Sequence, residues 1–463
     1  MMVKDDETTK SVTKFAGIEV PPELTKSNFF FLFFNTFLIG LLMAVFGILQ
    51  PAFLKDVIKI NQDFAGSING LLMNLNELAT LVLVSMVGVL SDRVGRKILA
   101  VLGFVVLAIS FYLLGQANGI ASFLQIPAGL SSQICAFLSF VPSRSAEFTQ
   151  YAPGLLTTYV IRLFLGVGLI LCYPQFITMV ADYTYEKDRG KGMAMNGVMM
   201  GISSIIIFAL FVPIMAKTGV LFLIYIIIAV ALGGALSTGV FLKERLPETK
   251  QEKVGLMKII PVVRKSIALK ASYWCCMITR ADIIVLATFV ITWGVKYGKE
   301  LGLSTGEATF KASMPMMVMG FATLVAFPIL GIMLDKKGRV PVIILALISG
   351  GIAMFLLAVS PNPFSPLVYI AMIFAAVGMA GSIAGANTLA SDASPKGMVG
   401  SILGGLNTMQ PIGVLFFVGL GGYLFDRFSP GWAFALKGIA SLILCMWIFM
   451  IKDRINTDLQ QKI

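Results

Sequence analysis

Twelve apolar stretches, at residues 28–54, 65–90, 98–116, 154–182, 193–216, 219–241, 272–296, 312–334, 340–359, 367–391, 399–424 and 430–451, each approach the length a helix needs to cross a bilayer. So many runs could not all be hidden inside soluble domains. With 57% hydrophobic residues, 13% charged residues and a mean hydropathy of +0.88, the chain reads as an all-α integral membrane protein with twelve transmembrane helices.

An even number of crossings puts both termini on one side. The tails and loops of that side carry 25 of the 36 Lys and Arg residues and the opposite loops carry 8, while Arg162, Arg280 and Lys437 fall inside helices. Positive loops stay in the cytoplasm, so both termini are expected there. The net charge of +12 follows this topology, and nucleic acid is not an expected partner. The first apolar run is longer than a signal-peptide core and lacks a convincing cleavage site, so it is read as a retained helix.

The second and third runs are joined by Gly88-Val-Leu-Ser-Asp92-Arg93-Val-Gly95-Arg96-Lys97, and the same spacing returns in Gly331-Ile-Met-Leu-Asp335-Lys-Lys-Gly338-Arg339. Gly88 lets another helix cross close by, Gly95 permits the tight turn, and the cations sit where cytoplasmic loops collect them. The loops are 243 residues apart, whereas Val167-Gly168 and Ala181-Asp182 match Val377-Gly378 and Ser391-Asp392 at an offset of 210. The difference of 33 residues places an insertion at about 117–152, on the side opposite the termini.

A Gly four residues ahead of an Asp, with Gly-Arg three residues further on, resembles the loop signature of the major facilitator superfamily, and the resemblance runs from end to end. It implies two pseudo-symmetric six-helix bundles. The expected division is a cytoplasmic tail (1–27), a first bundle (28–241), a cytoplasmic linker (242–271), a second bundle (272–452) and a short tail (453–463). The insertion is rich in Ile, Leu, Phe and small residues, with Arg144 and Glu147 as its only charges. It reads either as short interfacial helices covering the outer mouth or as an elaboration without a transport role. The linker carries eight Lys and Arg from Leu242 to Lys270, which suits contact with an anionic leaflet.

Histidine is absent, which removes Ser-His-Asp triads, His-ligated haem and His-containing zinc sites together. The five cysteines imply no disulfide framework, and no nucleotide-binding loop is present. No enzyme activity, cofactor or metal is expected.

Ionisable groups at bilayer depth cost several kcal/mol unless paired or wet, roughly 2.5–3.5 on insertion scales, so each is a functional candidate. There are five: Glu77, Arg162, Arg280, Asp282 and Lys437. Glu77 lies roughly three helical turns from Gly88 and shares its face. It suits either a pairing across the bundles or proton carriage and cation binding. Arg162, in Arg162-Leu-Phe-Leu-Gly166-Val-Gly168, resembles the fourth-helix motif of proton-coupled members, which implies a part in coupling; bonding to backbone carbonyls is the alternative. Arg280 and Asp282 cannot face one another on a helix, so each needs a partner elsewhere. Arg280 could draw an anionic substrate or pair with Glu77, and Arg280 and Lys437 could equally snorkel. Asn35, Gln50, Asn74, Asn196, Asn387, Asn407 and Gln410 complete the expected pathway.

For the gate, the resemblance implies that Asp92 and Asp335 face helix starts in the opposite half. Arg93 and Arg96 would meet Asp182, Glu186 or Asp188, and Arg339 would meet Asp392. Charge-assisted bonds of this kind suit a latch that opens and closes. The function expected is that of a monomeric, proton-coupled carrier of a small organic solute in the plasma membrane (a bacterial inner membrane), contacting lipid and working by alternating access. Export of an amphipathic compound by antiport leads, with proton-linked uptake of an organic anion, or a receptor or scaffold on the same fold, as alternatives.

Overall fold

A computed structural model describes residues 13–185, 188–245, 256–395 and 398–460. Among them are twelve helical segments long and apolar enough to cross a membrane. The face that carries Lys26 and Met450, the start of the first crossing and the end of the last, is the terminal face. The first half consists of α1 (Lys26–Phe53), α2 (Ala65–Val94), α3 (Arg96–Gly115), two short helices α4 (Ala117–Phe123) and α5 (Ala128–Leu138), α6 (Ala152–Tyr183), α7 (Arg189–Ile206), α8 (Val212–Thr218) and α9 (Val220–Phe241). After α10 (Leu256–Lys265) the second half runs through α11 (Ile267–Thr279), α12 (Asp282–Glu300), α13 (Thr305–Lys337), α14 (Arg339–Ala358), α15 (Pro366–Asp392), α16 (Val399–Asn407), α17 (Met409–Arg427) and α18 (Pro430–Met450), and α19 (Lys452–Gln460) follows.

Local chemistry sets many of these ends. Thr25 with Asn28 opens α1 as a capping box, and Ser304 with Glu307 opens α13 in the same way. The turns from α2 to α3 and from α13 to α14 pass through Gly95 and Gly338 at φ of +102° and +86°, a region that favours glycine. Three crossings are interrupted. The fifth joins α7 to α8 through a π turn at Ile207–Phe211, the seventh breaks at Arg280 and Ala281, and the eleventh breaks at Thr408. Pro411 has no N–H to give to the Asn407 carbonyl, which accounts for the last break. At the seventh, Arg280 stands at the negative end of α11 and Asp282 in the positive first turn of α12.

The repeat is visible in the packing: α3 lies against α6 and α9 as α14 lies against α15 and α18. Small residues permit these approaches. A side chain at Gly103 would meet the Cys172 backbone at 2.7 Å, and one at Gly378 would meet Gly350 at 2.8 Å. The halves meet where α1 packs on α12, α2 on α17 and α8 on α13.

The inserted stretch is ordered. Helices α4 and α5 are followed by a 3₁₀ turn at Pro142–Phe148, with Cys135, Ala136 and Phe148 fully buried. The Phe148 ring lies tilted 4.7 Å from Phe64, Arg144 pairs with Glu147 at 2.6 Å, and Phe140 meets Tyr423 of α17 at 6.1 Å. Within the stretch expected as an N-terminal tail, a hairpin of β1 (Lys14–Phe15) and β2 (Ile18–Glu19) is docked on the first half. Its apolar side explains the docking: Phe15 lies 5.9 Å from the Phe29 ring, and Ile18, Val20 and Leu24 are buried.

Candidate transport pathway

The centre of α2 positions two of the expected groups. Asn74 donates from Nδ2 to the Leu415 carbonyl of α17 at 3.1 Å, so it bridges the halves. Its approach requires Gly419, where a side chain would come within 2.7 Å of that nitrogen. Glu77, one turn nearer the terminal face, is buried and has the Asn76 amide at 3.4 Å. Other cross-half contacts lie toward the opposite face: Gly66 and Ser67 with Asp426, Thr305 with Asp56 at 2.6 Å, and Gly306 against Ala216. Toward the terminal face the halves part. A side chain built on Gly88 or on Gly331 would meet nothing within 4 Å, and Val82, Met86 and Val89 of α2 are exposed. The close helix crossing expected at Gly88 is therefore not made in this conformation.

Arg162 does not pair with Glu77. Its Nε donates to the Leu72 carbonyl at 3.1 Å, Nη2 points at the Met73 sulfur at 3.4 Å, and the guanidinium lies 3.9 Å over the Phe46 ring. Arg280 does not pair with Glu77 either. It donates from Nη2 to Asn387 Oδ1 at 2.7 Å and from Nη1 to Asn407 Oδ1. These amides orient the guanidinium without neutralising it, and among the described residues no carboxylate pairs with it. Gln410, on the other side of the Thr408 break, is half-buried.

Three expectations are corrected. Lys437 does not snorkel: it is fully buried and forms an ion pair with Asp282, 4.9 Å from the Phe417 ring. A primary amine 0% exposed in an apolar bundle is held by its counter-charge, and this gives Asp282 its missing partner. Asn35 lies inside the first bundle, fully buried, donating to the Phe31 carbonyl and accepting from Ser237 at 2.6 Å. Asn196 likewise stays within that bundle, accepting from Thr36 at 3.2 Å. Gln50 donates to the carbonyl and side-chain oxygens of Asn69.

In the loop signature, Arg96 is buried and pairs with Asp182, and Arg339 pairs with Asp392 at 2.7 Å. Asp188 binds Lys191 at 2.7 Å and accepts from the Glu19 N–H at 3.0 Å. Arg93 and Asp335 are exposed, while the Asp92 side chain and Glu186 lie outside the described residues. One loop partner escaped sequence reading. Glu244, just past α9, accepts from the Arg96 and Lys97 N–H groups at 3.0 and 2.8 Å and so caps α3. Asp426 and Asp56 were also missed, since each follows an apolar run and reads as an ordinary helix-end acid.

The chain is similar to several known proteins. Magnetosome protein MamH of Paramagnetospirillum magneticum is 24% identical over 410 residues, 89% of each chain. Magnetosome protein MamZ of the same organism is 25% identical over 414 residues, 88% of this chain but 60% of the relative. The solved nucleoside transporter NupG superposes with a TM-score of 0.68 at 11% identity, covering 91% of this chain and 98% of that one. The family model of the Major Facilitator Superfamily matches residues 32–323 and 286–461, well over half of the sequence, and the chain belongs to that family.

Proposed function

We propose that this protein carries a small organic anion across the membrane by alternating access, coupled to protons, with its terminal face in the cytoplasm. The observation that carries the substrate class is Arg280. An intramembrane guanidinium with two amide partners and no carboxylate keeps its charge available to a solute, whereas a carrier of amphipathic cations would be disfavoured by it. Between the two expected substrate classes this favours the anion over the amphipathic compound. The interrupted seventh and eleventh crossings bring Arg280 and Asn407 together, which suits a binding site built from broken helices. Coupling falls to Glu77, because Asp282 is already engaged by Lys437 and no histidine exists. Cytoplasmic placement of the terminal face is supported by its excess of Lys and Arg.

The test is flux in proteoliposomes under an imposed pH gradient, across a panel of organic anions and amphiphilic cations. An anion should be accumulated, and Arg280→Gln should weaken its apparent affinity by about tenfold or more, the worth of a lost charge-assisted bond. Accumulation of cations with Arg280→Gln unimpaired would reject the substrate class.

A further inference from the structure

The start of α2 has no side-chain cap of its own, yet its Gly66 and Ser67 N–H groups are both satisfied. The acceptor comes from the other half of the molecule. Asp426, at the end of α17, takes them on Oδ1 and Oδ2 at 2.7 Å each, in the manner of an N-cap residue. The approach depends on glycines. A side chain at Gly422 would lie 2.6 Å from the Gly66 carbonyl, and one at Gly70 would lie 2.7 Å from the Val418 carbonyl.

Both parts of this contact recur at the other ends of the same two helices. The donor of the cap is Gly422-Tyr-Leu-Phe-Asp426-Arg427 on α17, and α2 ends in Gly88-Val-Leu-Ser-Asp92-Arg93 with the same Gly-x-x-x-Asp-Arg spacing. The receiver is Gly66-Ser67-Ile68-Asn-Gly70 on α2, and α16 begins with Gly400-Ser401-Ile402-Leu-Gly404. Helix α16 likewise has no side-chain cap. Since α2 runs toward the terminal face and the α16–α17 crossing runs away from it, each helix ends beside the other's start. At the terminal-face pair both glycines stand clear: side chains on Gly88 or Gly404 would meet nothing within 4 Å.

We infer that Asp426 is the gate residue of the opposite face, the counterpart of Asp92, and that α2 and the eleventh crossing form a rocker with the same clasp at each end. Docking Gly422 on Gly66 levers Gly88 away from Gly400, so one clasp closes as the other opens. The inference rests on the alternating-access reading. Asp56, which accepts from Thr305 at the start of α13, ties the second seam of the same face. That seam is also held by the contact of Gly306 with Ala216.

The test uses spin labels on Phe123→Cys and Glu300→Cys, exposed positions on the two halves at the opposite face and away from the clasp. The five native cysteines are buried and leave the labels selective. In the substrate-free full chain, Asp426→Asn should raise the long-distance, open population about tenfold, as loss of the charge and of one of its two acceptor oxygens predicts. Gly422→Ala should act in the same direction, because its methyl group blocks the docking. Asp92→Asn should shift the distances toward the closed population, and combining it with Asp426→Asn should return them toward the parent. Unchanged distances in both Asp426→Asn and Gly422→Ala, or a shift of Asp426→Asn in the same direction as Asp92→Asn, would overturn the clasp. The readout is conformational, so its failure would leave the transport reading standing, and a failed flux assay would leave the clasp standing.

Discussion

Lys437 and Asp282 offer a sharp energetic test, because both are buried and each is the other's counter-charge. Removing one partner by Lys437→Met strands a buried carboxylate without its counter-charge, and such single losses cost about 3–5 kcal/mol. Asp282→Leu strands the ammonium at a similar cost of about 3–5 kcal/mol. The double variant buries neither charge and should recover to within about 2 kcal/mol of the parent, since apolar replacement of a buried pair is often neutral. The singles would then sum to about 6–10 kcal/mol against a double of about 2, a strongly non-additive cycle. Stability is read by thermal unfolding in detergent, as a half-life at fixed temperature where unfolding is irreversible. Flux in the double variant should survive, because the pair holds α12 to α18 and carries no proton. Single variants that each cost less than about 1 kcal/mol, adding linearly in the double, would show that water reaches the charges and that the reasoning is wrong.

Glu77→Gln should abolish accumulation driven by a pH gradient while leaving exchange of solute measurable, because the neutral amide mimics the protonated carrier; undiminished accumulation would move coupling elsewhere. The exposed Arg144–Glu147 pair gives a pH-dependent prediction for the inserted turn. The Arg144 hydrogen bond holds the Glu147 carboxyl below its ordinary value, so its contribution is present above the unfolded pKa and is lost as pH falls through the folded one. Protection of the amides at 142–148, taken relative to their intrinsic exchange rate at each pH, should therefore fall only below the ordinary glutamate range of about 4–4.5, and a loss of protection already between about pH 5 and 7 would refute the pairing in solution.

The crossings were legible because the bilayer imposes one length and one polarity on every segment, and hydropathy reports both. The insertion was legible because two landmarks gave different offsets between the halves. Partners were harder. Asp182 stood among three candidate partners for Arg96 that the family resemblance implied, and the repeat then carried the pairing over to Arg339 with Asp392. Lys437 with Asp282 had no such lead, since these residues stand on different helices of one bundle and share no spacing. The Asp426 motif is written in the sequence as plainly as the Asp92 one. It escaped because it relates α2 to the end of its antiparallel partner, a reversal that a search for parallel repeats passes over. The hairpin at Lys14–Glu19 was hidden by its shortness, with apolar residues too few to register against a charged tail.

The two arginines at bilayer depth differ in a way that bears on which of them meets the solute. Arg162 is tied to a backbone carbonyl, a thioether and an aromatic face, all on α1 and α2 within its own half. Turning it away would forfeit the cation–π contact with Phe46 and leave a guanidinium to find new partners in an apolar bundle, so its position is fixed by the first half's packing. Arg280 is tied to two side-chain amides, each on a separate helix and each able to donate as well as accept. An anion entering beside it can take the guanidinium hydrogen bonds while Asn387 and Asn407 rotate to offer their N–H groups to the same anion. The exchange leaves no polar group orphaned, which is the condition for a site that must bind and release at every cycle.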